Sequence, residues 1–223
     1  MLGWSRCEAN IRNCSPRLLI LSLDTATDIA TACVWRDGRA LAESASRARS
    51  VAAQRVLADV DRLMQEAGVA PSGLDMVVAG TGPGTFTGLR IGLAAARALG
   101  FALGIPVKGV STLAALGAGD GVEVACVDAR RGEVFAAGAG LDPQAIAPEE
   151  LAAAVPAGTV CAGDGAVRYR DRLAGLEIPA DDSPLHVPWA RHHAALAGSA
   201  GPPEPMYLRA PDADRALAAR AAS

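Results

Sequence analysis

Aromatic side chains are scarce: three Trp, three Phe and two Tyr make up 4% of 223 residues. A core of any size must therefore be filled by Ala, Val and Leu, which a chain that is 51% hydrophobic can supply. Cysteine is present as an odd set of five, Cys7, Cys14, Cys33, Cys126 and Cys161, with no C-x-x-C spacing. That pattern excludes a regular disulfide framework or zinc ribbon and suits a reducing, cytoplasmic setting. Histidine is limited to His186, His192 and His193. Adjacent histidines point in different directions, so surface roles are expected rather than a shared metal. No histidine lies in the first half to serve a serine nucleophile there. Excess positive charge is also missing: the net charge of −3 argues against a stand-alone nucleic-acid binder. A subunit of an assembly whose other members hold RNA stays open. Residues 1–16 contain Arg6 and Arg12 and no apolar run of signal-peptide length, and read as a disordered extension. Arg90 and Arg97 interrupt the longest apolar helix, so no membrane span is expected.

What the chain does have is Gly82-Pro83-Gly84-Thr85-Phe86-Thr87-Gly88-Leu89-Arg90-Ile91-Gly92. Two glycines flanking a proline form a tight loop, and Thr85 or Thr87 can cap the helix that follows. That helix carries Gly88, Gly92, Ala96 and Gly100 at a spacing of four, a stripe with almost no side chain. Each helical glycine costs about 1 kcal/mol relative to alanine, so the stripe marks a close approach of another backbone. The approaching backbone is either the protein's own sheet or a helix of another chain.

Around this helix the pattern reads as strand 18–23, strand 29–35, strand 39–46, helix 51–67, strand 74–79, the striped helix to about 103, and strand 105–110. Asp37-Gly38 supplies a hairpin turn. A weaker copy follows: strand 122–127, a turn at Asp128 to Glu133, strand 134–139, helix 148–154, strand 159–162 and helix 167–173, then a short helix near 189–197. The expectation is an α/β protein of two similar lobes, 17–115 and 116–223, each a mixed sheet with helices, the second reduced. The Ala/Gly-rich run at 114–121 is the expected boundary.

Both halves open with a strand that runs into an Asp-containing turn. In two-lobed actin-like and sugar-kinase-like folds, which share an RNase H-like core, such turns meet ATP phosphates through hydroxyls and backbone N–H groups. Asp24, Thr25 and Thr27 in the first turn and Asp128 in the second are therefore candidate nucleotide-binding residues. An ordinary Asx or Ser/Thr turn is the alternative. Arg130 and Arg131 could clamp a phosphate or carboxylate, or form a solvated pair. Gly82 to Gly88 lacks the Gly-Lys-Ser/Thr ending and is not a P-loop. Gly163-Asp164-Gly165 is a weak candidate for an adenine-side glycine pair.

The chain resembles the TsaB (YeaZ) family, bacterial companion subunits of the tRNA threonylcarbamoyladenosine machinery. The resemblance spans about residues 18–211. It rests on Ile20 to Thr27, Gly82 to Gly92, Gly109-Val110-Ser111-Thr112-Leu113, Asp128 to Phe135, and Met206-Tyr207-Leu208-Arg209. It implies a two-lobed actin-like fold with a degenerate second lobe, and a non-catalytic scaffold of the complex that transfers threonylcarbamoyl to the adenosine beside the anticodon. The implied partners are the catalytic paralogue TsaD, the ATPase TsaE and, for the chain alone, a second copy, with tRNA met only indirectly. The resemblance implies no cofactor or metal required by this chain and leaves room for ATP or ADP at a subunit boundary. It makes Gly84, Phe86, Gly88, Leu89, Arg90, Gly92, Ala96 and Gly100 the expected partner interface. The catalytic paralogue's His-x-x-x-His metal pair falls on Thr112 and Leu116, neither of which is a competent ligand here. Ala52, Ala58 and Thr81 stand where related sequences often carry His, Pro and Arg. The alternative function is a stand-alone ATP hydrolase or kinase of the actin-like superfamily.

Overall fold

The computed structural model describes residues 18–47 and 52–209. The expected extension at 1–16 and the Ala/Arg tail lie outside the described residues. Strand β1 (Leu19–Asp24) is buried along its whole length and forms the middle of a five-stranded sheet. β2 (Ile29–Arg36) and β3 (Arg39–Arg47) add to one side as an antiparallel meander. β4 (Met76–Gly80) and β5 (Val107–Val110) add to the other side in parallel, giving the order β3-β2-β1-β4-β5. Asp37 and Gly38, both at positive φ, make the two-residue turn between β2 and β3.

Helices α1 (Ala52–Glu66) and α2 (Phe86–Leu103) cover one face of this sheet. Val56, Val60, Leu63 and Met64 of α1 are buried, one apolar stripe at helical spacing. Leu19, Leu21 and Leu23 point to these helices. Ile20 and Ser22, at the alternate positions of β1, face the opposite side. α2 is 18 residues long with mean hydropathy 1.3, enough by length and composition to cross a bilayer. It is instead a layer on the sheet, with Leu89, Gly92, Leu93, Ala96 and Gly100 buried.

The short helix α3 (Thr112–Gly117) occupies part of the Ala/Gly-rich run expected as a boundary, and leads into the second sheet. There β6 (Val124–Arg130), β7 (Glu133–Gly138), β8 (Leu141–Ile146) and β9 (Cys161–Ala162) take the order β8-β7-β6-β9. β8 is unannounced in the sequence because it contains Pro143. As the edge strand it can spare that N–H. α4 (Pro148–Ala154) and α5 (Asp164–Arg168) complete this half, α5 being followed by a 3-10 turn at 170–172 rather than by one longer helix.

The chain then returns. α6 (Ala190–Ala195) packs on the free face of the first sheet, where Ala194 joins Ile20, Met76, Val78 and Val110 in a separate core. Ser22 Oγ donates to Ala190 O at 2.7 Å, and Thr31 Oγ1 to Pro188 O at 2.9 Å. Residues 188–201 thus serve the first sheet, although they follow the second in sequence.

Candidate functional site

β1 delivers Asp24 to its carboxyl end, where the side chain is 1% exposed. A buried carboxylate needs partners, and this one finds all of them inside the chain. Oδ1 accepts from the Ala26 amide at 2.7 Å, and Oδ2 accepts from the Thr112 hydroxyl at 2.7 Å. His193 Nε2 lies 2.9 Å from the same Oδ2, with both side chains wholly buried. That nitrogen is buried and makes no hydrogen bond among the described residues. Gly80 on the neighbouring strand makes room: a Cβ there would stand 2.3 Å from the Asp24 carboxyl carbon.

The other residues of the first turn are equally occupied. Thr25 Oγ1 donates to Gly88 O at 2.6 Å, and Thr27 Oγ1 to Ile29 O at 3.0 Å. Asp24, Thr25 and Thr27, expected to meet a nucleotide, are thus bonded within the chain in this conformation. Their oxygens stabilise the turn and fasten it to α2 and α3.

Two of the three histidines also depart from expectation, being buried rather than surface residues. His186 Nδ1 accepts from the Gly163 amide at 3.1 Å, which places its proton on Nε2, within 3.2 Å of the Pro179 and Ala180 carbonyls. His193 reaches Asp24 from α6, so a histidine does serve the first sheet, from 169 positions away in sequence.

In the second lobe Asp128 is 6% exposed near the end of β6. Its Oδ1 accepts from the Arg130 amide at 2.8 Å and the Tyr169 hydroxyl at 3.2 Å. Its Oδ2 lies 3.0 Å from Arg130 Nη1 and 3.5 Å from Arg168 Nε. Arg130 also reaches Asp28 of the first lobe, Nη2 to Oδ1 at 3.1 Å, and so spans the gap between the two turns. Arg130 and Arg131 adopt positive φ to turn the hairpin into β7. Asp128, expected to face a phosphate, faces two guanidinium groups instead. Beneath it, Asp164 Oδ1 accepts from the Asp128 amide at 3.0 Å. Burial pushes the Asp164 carboxyl up to about 6; the nearby Asp128 and Asp28 add to this, and the Asp128 amide and Arg130 oppose it.

The glycine stripe of α2 faces inward. A Cβ on Gly88 would meet Thr25 O at 2.1 Å, one on Gly92 Thr25 Oγ1 at 2.5 Å, and one on Gly100 Val107 Cγ2 at 2.2 Å. The close neighbour is the protein's own β1 turn and β5, and Leu89, Gly92, Ala96 and Gly100 are buried against them. The expectation that the stripe itself meets another chain is corrected: without side chains, the helix settles onto its own sheet. Thr85 takes the N-cap position by backbone geometry, and its side chain makes no capping bond. The outer face of α2 is what remains open. Phe101 is 92% exposed and Phe86 55%, and Ala94, Arg97 and Ala98 are exposed between them. The Arg90 guanidinium lies 3.7 Å from the Phe86 ring centroid, and the Tyr207 ring centroid is 6.1 Å from that of Phe86.

Among the described residues, no group of three or more His, Cys, Asp or Glu is placed to hold a metal ion. Thr112 and Leu116 are both buried, the first spent on Asp24 and the second in the core against β6.

Two mixed sheets joined by two chain crossings, with an Asp-bearing turn at the end of a central strand in each, define a two-lobed α/β protein whose turns are internally satisfied. A family model described as "TsaD: tRNA N6-adenosine threonylcarbamoyltransferase" matches residues 42–156. An uncharacterized protein of Mycobacterium tuberculosis is 38% identical over 205 residues, 87% of this chain and 93% of that one. The Escherichia coli protein named tRNA threonylcarbamoyladenosine biosynthesis protein TsaB is 35% identical over 122 residues, 52% of each chain. The solved structure of YeaZ from Pseudomonas aeruginosa superposes with a TM-score of 0.70 at 32% identity, covering 86% of this chain and all of that one. The chain belongs to the TsaB (YeaZ) family.

Proposed function

We propose that this protein acts in the biosynthesis of threonylcarbamoyladenosine in tRNA as a companion subunit that performs no chemistry of its own. The observation that carries this reading is the closure of Asp24 by Thr112, Ala26 and His193. The carboxylate best placed to serve a nucleotide is spent on the fold. Thr112, at the position of a metal ligand in the catalytic paralogue, is spent on the same carboxylate. The same geometry weighs against the stand-alone ATP hydrolase or kinase, since Asp128 is also held, by Arg130, Arg168 and Tyr169.

Docking falls to the outer face of α2, with Phe86, Arg90 and Phe101 as its anchors rather than the buried glycines. A nearly fully exposed phenylalanine flanked by alanines and arginines suits the core of a protein interface. The partner we assign to this face is the catalytic paralogue TsaD, with a second copy of this chain covering it when TsaD is absent. TsaE would join through the resulting pair, ATP or ADP would lie at a subunit boundary, and tRNA would be reached through the partner. The setting is the cytoplasm.

Light scattering after gel filtration of this chain with TsaD from the same organism tests the reading. A complex containing both chains supports it. Two separate species at tens of micromolar, with and without ATP, would sink it and return attention to the chain alone.

A further inference from the structure

The chain crosses between its two sheets twice, through α3 with residues 118–123 and through the segment that runs from β9 and α5 back to α6. Residues of both crossings line one pocket of about 240 Å³. Leu116 with Leu185 and Val187 supplies apolar wall, and Trp189 one aromatic side. A cavity of about 150 Å³ accepts a benzene ring, so this one has room for a six-membered ring with a substituent.

Contacts within the chain fix Trp189, Arg191 and His192 in the walls. Trp189 Nε1 donates to Pro184 O at 2.9 Å. His192 Nδ1 lies 2.8 Å from Ala115 O and donates to it, and Nε2 has no hydrogen-bond partner among the described residues. Burial lowers the His192 pKa, so the ring is neutral near pH 7 and Nε2 is an acceptor. Arg191 lies over the Trp189 ring at 4.4 Å, and its charge is met by Glu43. Asp120 lines the same pocket and has no hydrogen-bond or ion-pair partner among the described residues.

The charges around the pocket therefore sum to one negative charge: Arg191 is cancelled by Glu43, His192 is neutral, and Asp120 stands alone. Its free polar atoms are acceptors, the Asp120 carboxylate and His192 Nε2. We propose that this pocket binds a compact cation with N–H donors, an amidinium or primary ammonium on a short apolar stem. The cation is met by Asp120, one N–H by His192 Nε2, and the stem by the leucine and valine wall.

The test uses the full chain and follows the indole N–H signal of Trp189, assigned by its loss in Trp189→Phe. Benzamidine should shift that signal saturably. Benzamide has the same shape without the charge and should bind about fivefold more weakly, the worth of a partly exposed ion pair. Asp120→Asn, a surface change that leaves the fold alone, should remove the difference. Butylamine and Nα-acetyl-lysine methylamide then distinguish sources. A shift with butylamine assigns a free amine, a shift with the lysine derivative alone assigns a partner's side chain, and either upholds the cation. Equal affinity for benzamide and benzamidine, or no shift of Trp189 with benzamidine, overturns the proposal.

Discussion

Thr112 donates its hydroxyl to Asp24 Oδ2 across 2.7 Å, joining the start of α3 to the end of β1 inside the first lobe. A hydrogen bond to a buried charged group contributes about 1.5–3 kcal/mol. Thr112→Val keeps the shape and removes the donor, so it should lower unfolding stability by that amount. Asp24→Ala strands the Thr112 hydroxyl, the Ala26 amide and His193 together and should cost more, about 3–5 kcal/mol. Urea unfolding followed by circular dichroism gives both values. Adding ATP should move neither midpoint, because the carboxylate serves the fold. A wild-type midpoint raised by ATP and unchanged by it in Asp24→Ala would revive the nucleotide-binding reading.

The inward glycine stripe makes an ordered prediction. Alanine gains about 1 kcal/mol of helix propensity over glycine. At Gly88 that gain meets a backbone oxygen, Thr25 O, at 2.1 Å from the new Cβ. Backbone cannot rotate away, so Gly88→Ala should destabilise by several kcal/mol. At Gly92 the obstacle is the Thr25 hydroxyl at 2.5 Å, a side chain that can turn at the loss of its bond to Gly88 O. Gly92→Ala should be the milder of the two. Denaturation midpoints in the reverse order would mean that the helix does not sit on β1 as described.

Much of this architecture is legible in the sequence because it is written at short range. The apolar residues Leu19, Ile20, Leu21 and Leu23 of β1, the Asp37-Gly38 turn and the α1 stripe each fix a local element. The stripe of α2 announces a close approach and does not say to what. That depends on whether β1 and β5 lie beneath it, which is a property of the sheet order. His193 is beyond local reasoning altogether: it meets Asp24 because α6 folds back onto the first sheet. Its neighbour His192 turns the other way, to the Ala115 carbonyl. The Asp-Thr-Ala-Thr turn has the composition of a phosphate loop and of a self-bonded turn alike. Its bond to Thr112, 88 positions further on, is also beyond local reasoning.

The outer face of α2 separates assembly from folding. Phe101 is 92% exposed, and substitutions at such surface positions usually stay within about 0.5 kcal/mol of wild type. Phe101→Asp should therefore unfold at the same urea concentration as the parent. If this face carries the partner, the same change places a charge in an apolar interface and should weaken association by 2 kcal/mol or more, the worth of an anchor residue. Sedimentation of the mixture with TsaD, and of the chain alone, reads this directly. Unchanged association in both would move the docking surface elsewhere.

Asp164 gives the fold a pH dependence of definite sign. Its carboxyl titrates near 6 in the folded chain against an ordinary value of 3.8. The folded state therefore holds a proton that the unfolded state has released across the interval between those values. Stability falls as pH rises from about 4 to about 6 and is flat above. At neutral pH the ionised, buried carboxylate costs about 2–3 kcal/mol relative to its neutral form. Asp164→Asn keeps an oxygen to accept from the Asp128 amide, lacks the charge, and should raise stability at pH 7.5. It should approach the parent only near about pH 3.5, where the carboxyl is protonated in the folded chain and largely so in the unfolded one. Urea midpoints measured at both pH values check this. A variant less stable than the parent at pH 7.5 would show that the ionised carboxylate is held by Arg130 more firmly than burial opposes it.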